Sequence, residues 1–223
     1  MSDETTTQTS DETQISPPAN PDIPAEPTFW NYIGYWFPHI IAIGYTFVIL
    51  AAIATQFIGS ELPCPLCVLQ RMAMMLIGIA AIWVVGQARK GTLTFSGYAR
   101  SYGLMIIGAM LGATMSTRQI ELHILPGDPG YGEAVFGLHL YTWALITFLI
   151  VILYSAIMLM FFKSTFPVAP SGKAALWTSR ILVALFIAII IANVVLVFAE
   201  EGFSWYLPDD PTGYKLLNPD LPS

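Results

Sequence analysis

Residues 62–90 read LPCPLCVLQRMAMMLIGIAAIWVVGQARK, a cysteine motif that runs directly into a long apolar stretch. The apolar part, about residues 66–87, is long enough to cross a hydrocarbon core of about 30 Å as a helix that rises 1.5 Å per residue. Cys64 and Cys67 are the only two cysteines in the chain. This stretch therefore predicts a membrane helix that carries a dithiol at its first turn.

Four other apolar segments of similar length accompany it. Hydrophobic residues make up 55% of the chain and charged residues only 11%, whereas charged residues are roughly a quarter of a soluble domain. We therefore expect an all-α polytopic membrane protein, with a four-helix transmembrane bundle and one additional C-terminal transmembrane helix. The other segments lie at about 37–58, 102–122, 139–162 and 180–199.

The composition divides the chain into four parts. The start is acidic and rich in proline, which predicts a disordered cytoplasmic tail. The end is acidic again, through Glu200, Glu201, Asp209 and Asp210. The predicted parts are the tail at 1–35, the four-helix membrane domain at 36–163, a cytoplasmic loop with the fifth helix at 164–200, and a periplasmic tail at 201–223.

The basic residues predict the orientation. Six of the nine lie in two connections, and cytoplasmic loops carry the excess of lysine and arginine. We therefore expect the N-terminus in the cytoplasm, and the cysteine loop, the loop at 123–138 and the C-terminal tail outside, where a disulfide can persist. The dispersed charges exclude a nucleic-acid interface. The six residues are Arg89, Lys90, Arg100, Lys163, Lys173 and Arg180.

The surroundings of the cysteines indicate redox chemistry. Pro65 is suited to the first position of a helix, so Cys64 is expected near the N-cap and Cys67 in the first turn. Free N–H groups and the helix dipole favour a thiolate there. Arg71 lies four residues after Cys67 and is expected on the same face. A buried arginine in a membrane costs about 2.5–3.5 kcal/mol and needs a partner, either a thiolate or the carbonyl oxygen of a quinone.

Metal binding is the competing interpretation of a C-x-x-C motif. A structural zinc site usually needs two more cysteine or histidine ligands. His123 and His139 flank the second predicted outer loop and would complete a Cys2His2 set. We favour thiol chemistry and assign no metal site.

Two further features have structural interpretations. Gly103, Gly108 and Gly112 lie in the third segment, where small residues allow close helix packing. Asn193 lies inside the fifth segment and is expected to form an interhelical hydrogen bond.

The run Leu62–Arg71, with its cysteine pair and an arginine four residues beyond it, resembles the first outer loop of the DsbB family. Members of this family are bacterial inner-membrane thiol oxidases that pass electrons from a periplasmic dithiol oxidase to quinone. The resemblance spans roughly residues 37–162, and Gly137–Ala144 also resembles the start of the last helix in some members. It implies a multi-pass protein of the inner membrane that supports disulfide formation in exported proteins.

The resemblance also implies roles for individual residues. Cys64 and Cys67 correspond to the pair that is oxidised by quinone, either ubiquinone or menaquinone, and Arg71 to a residue that binds or polarises the quinone. In the family the second cysteine contacts the quinone, which is Cys67 here. Cys64, expected to be the more exposed thiol, would exchange with the periplasmic dithiol protein.

Residues 118–126 resemble the end of the third helix of the family, where a histidine commonly stands at the position of Gln119. Glutamine can donate a hydrogen bond to a quinone oxygen but cannot take up a proton as imidazole can. His123, one helical turn further on, could substitute. The predicted site thus consists of catalytic Cys64 and Cys67, with Arg71, Gln119 and His123 as quinone-binding residues.

The second outer loop departs from the family pattern. Members normally carry another cysteine pair there, but residues 126–133 contain none. Either an external protein exchanges directly with Cys64, or a partner supplies the missing dithiol. The absent pair also leaves two alternatives open, a non-enzymatic membrane assembly or scaffold protein that retains the fold, and a metal-binding membrane protein.

Overall fold

The computed structural model describes residues 21–24, 26–58, 62–132, 134–203 and 211–218. Within these ranges the chain forms five long helices and one two-residue antiparallel hairpin, in which β1 (Ala134–Val135) pairs with β2 (Leu138–His139). The helices are α1 (Phe29–Ile58), α2 (Pro65–Lys90), α3 (Phe95–Leu122), α4 (Leu140–Met160) and α5 (Lys173–Glu201).

Four of the helices, α1, α2, α4 and α5, are long and apolar enough to cross a membrane. The chain is therefore a multi-pass membrane protein, and the predicted all-α polytopic fold is confirmed. Helix α3 does not reach that apolarity, because glycine, serine and threonine recur along it. It begins next to the end of α2 and returns to the level of the cysteines at Gln119. It thus runs the length of the bundle beside α2.

The two ends of α2 follow from local sequence, as predicted at its start. Cys64 is the N-cap and Pro65 the first helical residue. The Cys64 sulfur accepts a hydrogen bond from the backbone N–H of Cys67 at 3.3 Å, which satisfies one of the unpaired N–H groups of the first turn. Gly91 ends the helix in the left-handed conformation, at φ 66°, which glycine adopts without a steric penalty.

The predicted N-terminal tail is partly structured. Helix α1 begins at Phe29, so the last residues of the predicted 1–35 tail are helical. Before it, Ile23 packs against the hydrophobic core. The Asp22 carboxylate accepts a hydrogen bond from the backbone N–H of Phe95 at 3.0 Å and so contacts the start of α3. Residues 1–20 and 25 lie outside the described residues.

Two of the three glycines of α3 make the close contacts that were predicted. A Cβ at Gly108 would lie 3.1 Å from the Ile77 side chain on α2, and one at Gly112 would lie 2.2 Å from the ring of Phe148 on α4. Gly103 has no atom within 4 Å of that position, so its predicted packing role is wrong. The other two glycines allow α3 to pack closely against α2 and α4.

Helix α5 packs on α1 and α2. At one end, the Ser179 hydroxyl is hydrogen-bonded to His39 Nε2 at 2.8 Å and to the Tyr35 hydroxyl at 2.7 Å. Further along, the Phe186 ring fills the space over Gly78 of α2. These contacts join the additional helix to the bundle.

Among the described residues, Asn193 does not form the predicted interhelical hydrogen bond. Its side chain is buried, but Oδ1 has no hydrogen-bond partner among the described residues. Helix α5 contacts its neighbours through Ser179 and Phe186 instead.

The C-terminal segment returns to the end of α5. The backbone N–H groups of Lys215 and Leu216 donate to the carbonyl oxygens of Glu200 and Ala199, at 3.2 and 3.0 Å. Glu200 belongs to the last turn of α5 and is buried, although it was expected to begin an acidic tail. Residues 204–210 and 219–223, including Asp209 and Asp210, lie outside the described residues.

Candidate dithiol site

The two thiols lie side by side at the start of α2. Both cysteines are free, and their Sγ atoms are 2.7 Å apart, close to the roughly 2 Å of a disulfide bond. The hydrogen bond with Cys67, together with burial, raises the pKa of the Cys64 thiol. The pair is thus arranged to close with little movement, and Cys64 holds its proton more firmly than an isolated thiol does.

The relative exposure of the two cysteines is the reverse of the prediction. Cys64 is 6% exposed, whereas Cys67 is partly exposed. The neighbouring Pro63 is also buried, and the Tyr131 hydroxyl of the second outer loop donates a hydrogen bond to the Leu62 carbonyl. The second loop therefore lies against the first and shields Cys64.

Gln119 links α3 to both sulfurs. Its Nε2 lies 3.4 Å from Cys64 Sγ and 3.5 Å from Cys67 Sγ, and its Oε1 accepts a hydrogen bond from Gln70 Nε2 at 2.7 Å. The bond from Gln70 orients the amide so that its N–H groups face the thiols. Gln119, predicted as a quinone-binding residue, is thus in contact with the cysteines themselves.

Arg71 is buried one turn below Cys67, as the spacing predicts, but its hydrogen bonds go to α1. One terminal nitrogen donates to Gln56 Oε1 at 3.3 Å and the other to the Ala52 carbonyl at 3.0 Å. Neither Gln56 nor the Ala52 carbonyl was predicted, because their approach depends on how α1 packs against α2.

The C-terminal segment contributes polar groups that sequence reasoning did not assign to the site. Tyr214 accepts a hydrogen bond on its hydroxyl from Gln56 Nε2 at 3.1 Å, so it contacts the same glutamine as Arg71. Glu200 is 1% exposed, and neither of its carboxyl oxygens accepts a hydrogen bond from the described residues. An acidic residue at the end of an apolar segment was the available signal for Glu200.

His123, the other predicted quinone-binding residue, faces the second loop. Its Nδ1 lies 3.0 Å from Asp128 Oδ1, and its ring lies over the ring of Tyr141 at 6.0 Å. A hydrogen bond from the Gly130 backbone and the contact with His123 lower the pKa of Asp128. His123 thus organises the loop, whereas Gln119 reaches the thiols.

The histidines do not join the cysteines in a ligand cluster. The ring of His139 stacks on that of Tyr141, with the ring centroids 5.2 Å apart, and its Nδ1 lies 3.2 Å from the Gly132 carbonyl oxygen. Within the described part of the chain, no three His, Cys, Asp or Glu side chains are grouped as metal ligands.

The family profile of the disulfide bond formation protein DsbB matches residues 35–131. Residues 35–131 are DsbB-like. This DsbB-like segment contains the whole dithiol site except for Glu200 and the C-terminal segment, and it ends before α4. It is shorter than the predicted span of 37–162, and the Gly137–Ala144 run lies beyond it.

Each of three curated relatives matches about a third of the chain. A disulfide bond formation protein B from Chromobacterium violaceum is 35% identical over 79 residues, which is 34% of this chain and 44% of the relative. One from Nitrosomonas eutropha is 36% identical over 75 residues, and one from Burkholderia pseudomallei 29% over 80. The chain spans less than half the length of these curated relatives, and no solved structure matches it.

Proposed function

We propose that this protein is a membrane thiol–disulfide oxidoreductase that passes electrons from an external dithiol protein to membrane quinone and so supports disulfide formation in exported proteins. The observation that carries the proposal is a pair of free thiols, 2.7 Å apart at the N-cap of a membrane helix. A side-chain amide contacts both sulfurs, and a buried arginine lies one turn below.

The residues of the site can stabilise the thiolate that forms during disulfide exchange. Closing the Cys64–Cys67 disulfide from the dithiol releases two electrons and two protons. A bound quinone supplies the acceptor for both. Gln119 directs N–H groups at the sulfurs and stabilises negative charge there, while Arg71 places a permanent positive charge one turn below.

The donor set fits a quinone oxygen. A guanidinium carries five N–H donors, and two of its terminal nitrogens contact Gln56 and the Ala52 carbonyl, which leaves further N–H groups for an acceptor. The exposed apolar side chains of Leu69 and Met72 line the same part of α2. Arg71 and Gln119 are therefore the residues that we expect to hold the quinone. His123 is proposed as a third quinone-binding residue on the sequence alone.

Quinone reduction by purified protein tests the proposal. In detergent with a thiol donor and a soluble ubiquinone or menaquinone analogue, the wild type is expected to reduce quinone, and Cys64→Ser and Cys67→Ser to lose that activity. Ser116→Ala is the matched control, since this buried hydroxyl lies on α3 near Gln119 but has no hydrogen-bond partner in the described chain. Equal rates in the wild type and both cysteine variants would overturn the proposal.

The family resemblance favours exchange of the external partner with Cys64, whereas the shielding of Cys64 by the second loop favours Cys67, and trapping of the partner distinguishes the two. In Cys67→Ser cells the intermediate has no resolving thiol, so the partner should accumulate as a mixed disulfide that disappears under reductant. Cys64→Ser is the comparison, because Cys64 is the more buried sulfur in this structure. Accumulation in Cys64→Ser alone would identify Cys67 as the exchanging thiol, and accumulation in neither would exclude a protein dithiol as donor.

We also propose that the protein resides in the bacterial inner membrane with its N-terminus in the cytoplasm. The distribution of lysine and arginine supports this orientation. It places the thiols in the compartment where disulfides form.

A further inference from the structure

A cavity of about 360 Å³ lies at the end of the bundle opposite the thiols. Its walls are residues 88–91 at the end of α2, Leu93, residues 166–169 between α4 and α5, and Ile23. The thiols lie at the start of α2, whose 26 residues span about 39 Å. The cavity is therefore separate from the dithiol site, and the proposed mechanism gives it no role.

Two cations line this cavity. Arg89 and Lys90 lie in the last turn of α2, and no carboxylate of the described chain forms an ion pair with either. The Asp22 carboxylate, next to the lining residue Ile23, accepts a hydrogen bond from the Phe95 backbone instead. The Nε atom of Arg89 is buried and has no hydrogen-bond partner among the described residues. Because a buried N–H group without an acceptor is costly, and more so when it is charged, this atom indicates a missing acceptor.

The end of α2 does not supply that acceptor. Basic side chains near a helix C-terminus often bind the last carbonyl oxygens. Here the carbonyl oxygens of Ala88 and Gln87 accept hydrogen bonds from the backbone N–H groups of Gly91 and Thr92, each at 3.1 Å. The helix is thus capped by its own backbone, and the Nε–H of Arg89 is left for another group.

The remaining walls of the cavity are apolar. Leu93 and Phe166 are buried, and Ile23 packs against the hydrophobic core. A cavity with basic side chains on one wall and apolar side chains on the others suits a ligand that joins an anionic group to an apolar body. A bare anion would use only the basic wall.

We propose that this cavity binds the headgroup of an anionic phospholipid, with Arg89 and Lys90 donating hydrogen bonds to its phosphate group. A guanidinium presents paired N–H donors that match phosphate, and an ammonium adds a point charge. In the proposed orientation the cavity lies at the cytoplasmic leaflet, where basic pockets between membrane helices bind anionic headgroups. Free inorganic phosphate carries the same anionic group but has no apolar part for the other walls.

Native mass spectrometry of the full-length protein in detergent tests the site. Phosphatidylglycerol and phosphatidylcholine with identical acyl chains are titrated separately, so that only the headgroup differs. The wild type is expected to bind one phosphatidylglycerol roughly tenfold more tightly than phosphatidylcholine, since a hydrogen bond to a charged group contributes about that factor. Arg89→Gln should lose this preference.

Three comparisons separate the cavity from general charge and from misfolding. Arg100→Gln is the matched control, because Arg100 is an exposed arginine of α3 outside the cavity, and it should bind as the wild type does. The melting temperature of Arg89→Gln without lipid shows whether that variant folds. Lys90→Gln changes an exposed side chain, which leaves the core intact, and should weaken phosphatidylglycerol binding several-fold.

Equal affinities of the wild type for the two lipids would overturn the proposal. Equal losses in Arg89→Gln and Arg100→Gln would also overturn it, because they would indicate a diffuse attraction to surface charge. Inorganic phosphate in large excess should fail to displace phosphatidylglycerol, and displacement would assign the cavity to free phosphate instead. The result does not depend on the proposed function, since Cys64→Ser and Cys67→Ser should bind the lipid as the wild type does.

Discussion

Gln119 is the side chain of α3 that contacts both thiols and Gln70 of α2. Its Nε2 faces both sulfurs, and its Oε1 accepts from Gln70. A hydrogen bond to a charged group contributes about 1.5–3 kcal/mol. The amide therefore stabilises a thiolate more than it stabilises the neutral thiol.

Removing that amide should slow thiol chemistry. In the Cys64→Ser protein, Gln119→Leu is expected to reduce the alkylation rate of Cys67 at neutral pH roughly tenfold, because loss of about 1.4 kcal/mol of thiolate stabilisation lowers the reactive fraction tenfold. Ser116→Ala, on the same helix, should leave the rate unchanged. A Gln119→Leu rate as fast as that of the control would remove Gln119 from the chemistry.

The residues of the site were predictable where local sequence decides their position. The N-cap at Cys64 follows from Pro65, and the burial of Arg71 follows from its place in an apolar helix. The contact of Gln56 with Arg71 was not predictable, since Gln56 comes from a helix whose packing the sequence does not specify. The exposure of Cys64 was predicted wrongly because it depends on the second loop.

At the scale of elements, the packing of α1 depends on the absence of one side chain. A Cβ at Gly34 would lie 1.9 Å from the Thr165 backbone oxygen, whereas one at Gly44, in the same helix, would have nothing within 4 Å. The first glycine is therefore a contact point between α1 and the chain that follows α4. The second has no such role.

This difference predicts opposite effects of the same substitution. Gly34→Ala should destabilise the protein by about 1–3 kcal/mol, because the backbone must move apart. Gly44→Ala should be neutral or stabilise by up to about 1 kcal/mol through helix propensity. Thermal unfolding in detergent measures both, and equal melting temperatures would contradict the contact at Gly34.

The number of helices was predictable from hydrophobicity, but several of their ends were not. Helix α1 begins at Phe29 and α5 at Lys173, before the predicted apolar segments begin. Hydrophobicity measures which residues suit lipid, whereas a helix continues for as long as its backbone hydrogen bonds are satisfied. Polar helix ends therefore extend beyond the apolar segments.

At the scale of the whole molecule, the proposed orientation can be tested with introduced cysteines. In a Cys64→Ser, Cys67→Ser background, Leu125→Cys should react with an impermeant maleimide in intact cells, and Lys173→Cys only after permeabilisation. Both parent side chains are exposed, so access depends on the side of the membrane. The reverse pattern would place the thiols in the cytoplasm and contradict the proposed function.

The return of the C-terminal segment has a practical consequence for handling the protein. Tyr214 is nine residues from the C-terminal Ser223 and contacts Gln56, the glutamine that binds Arg71. An epitope or label inserted at residues 211–218 would therefore disturb the segment that contacts this partner of Arg71. Insertions for functional assays should avoid these residues.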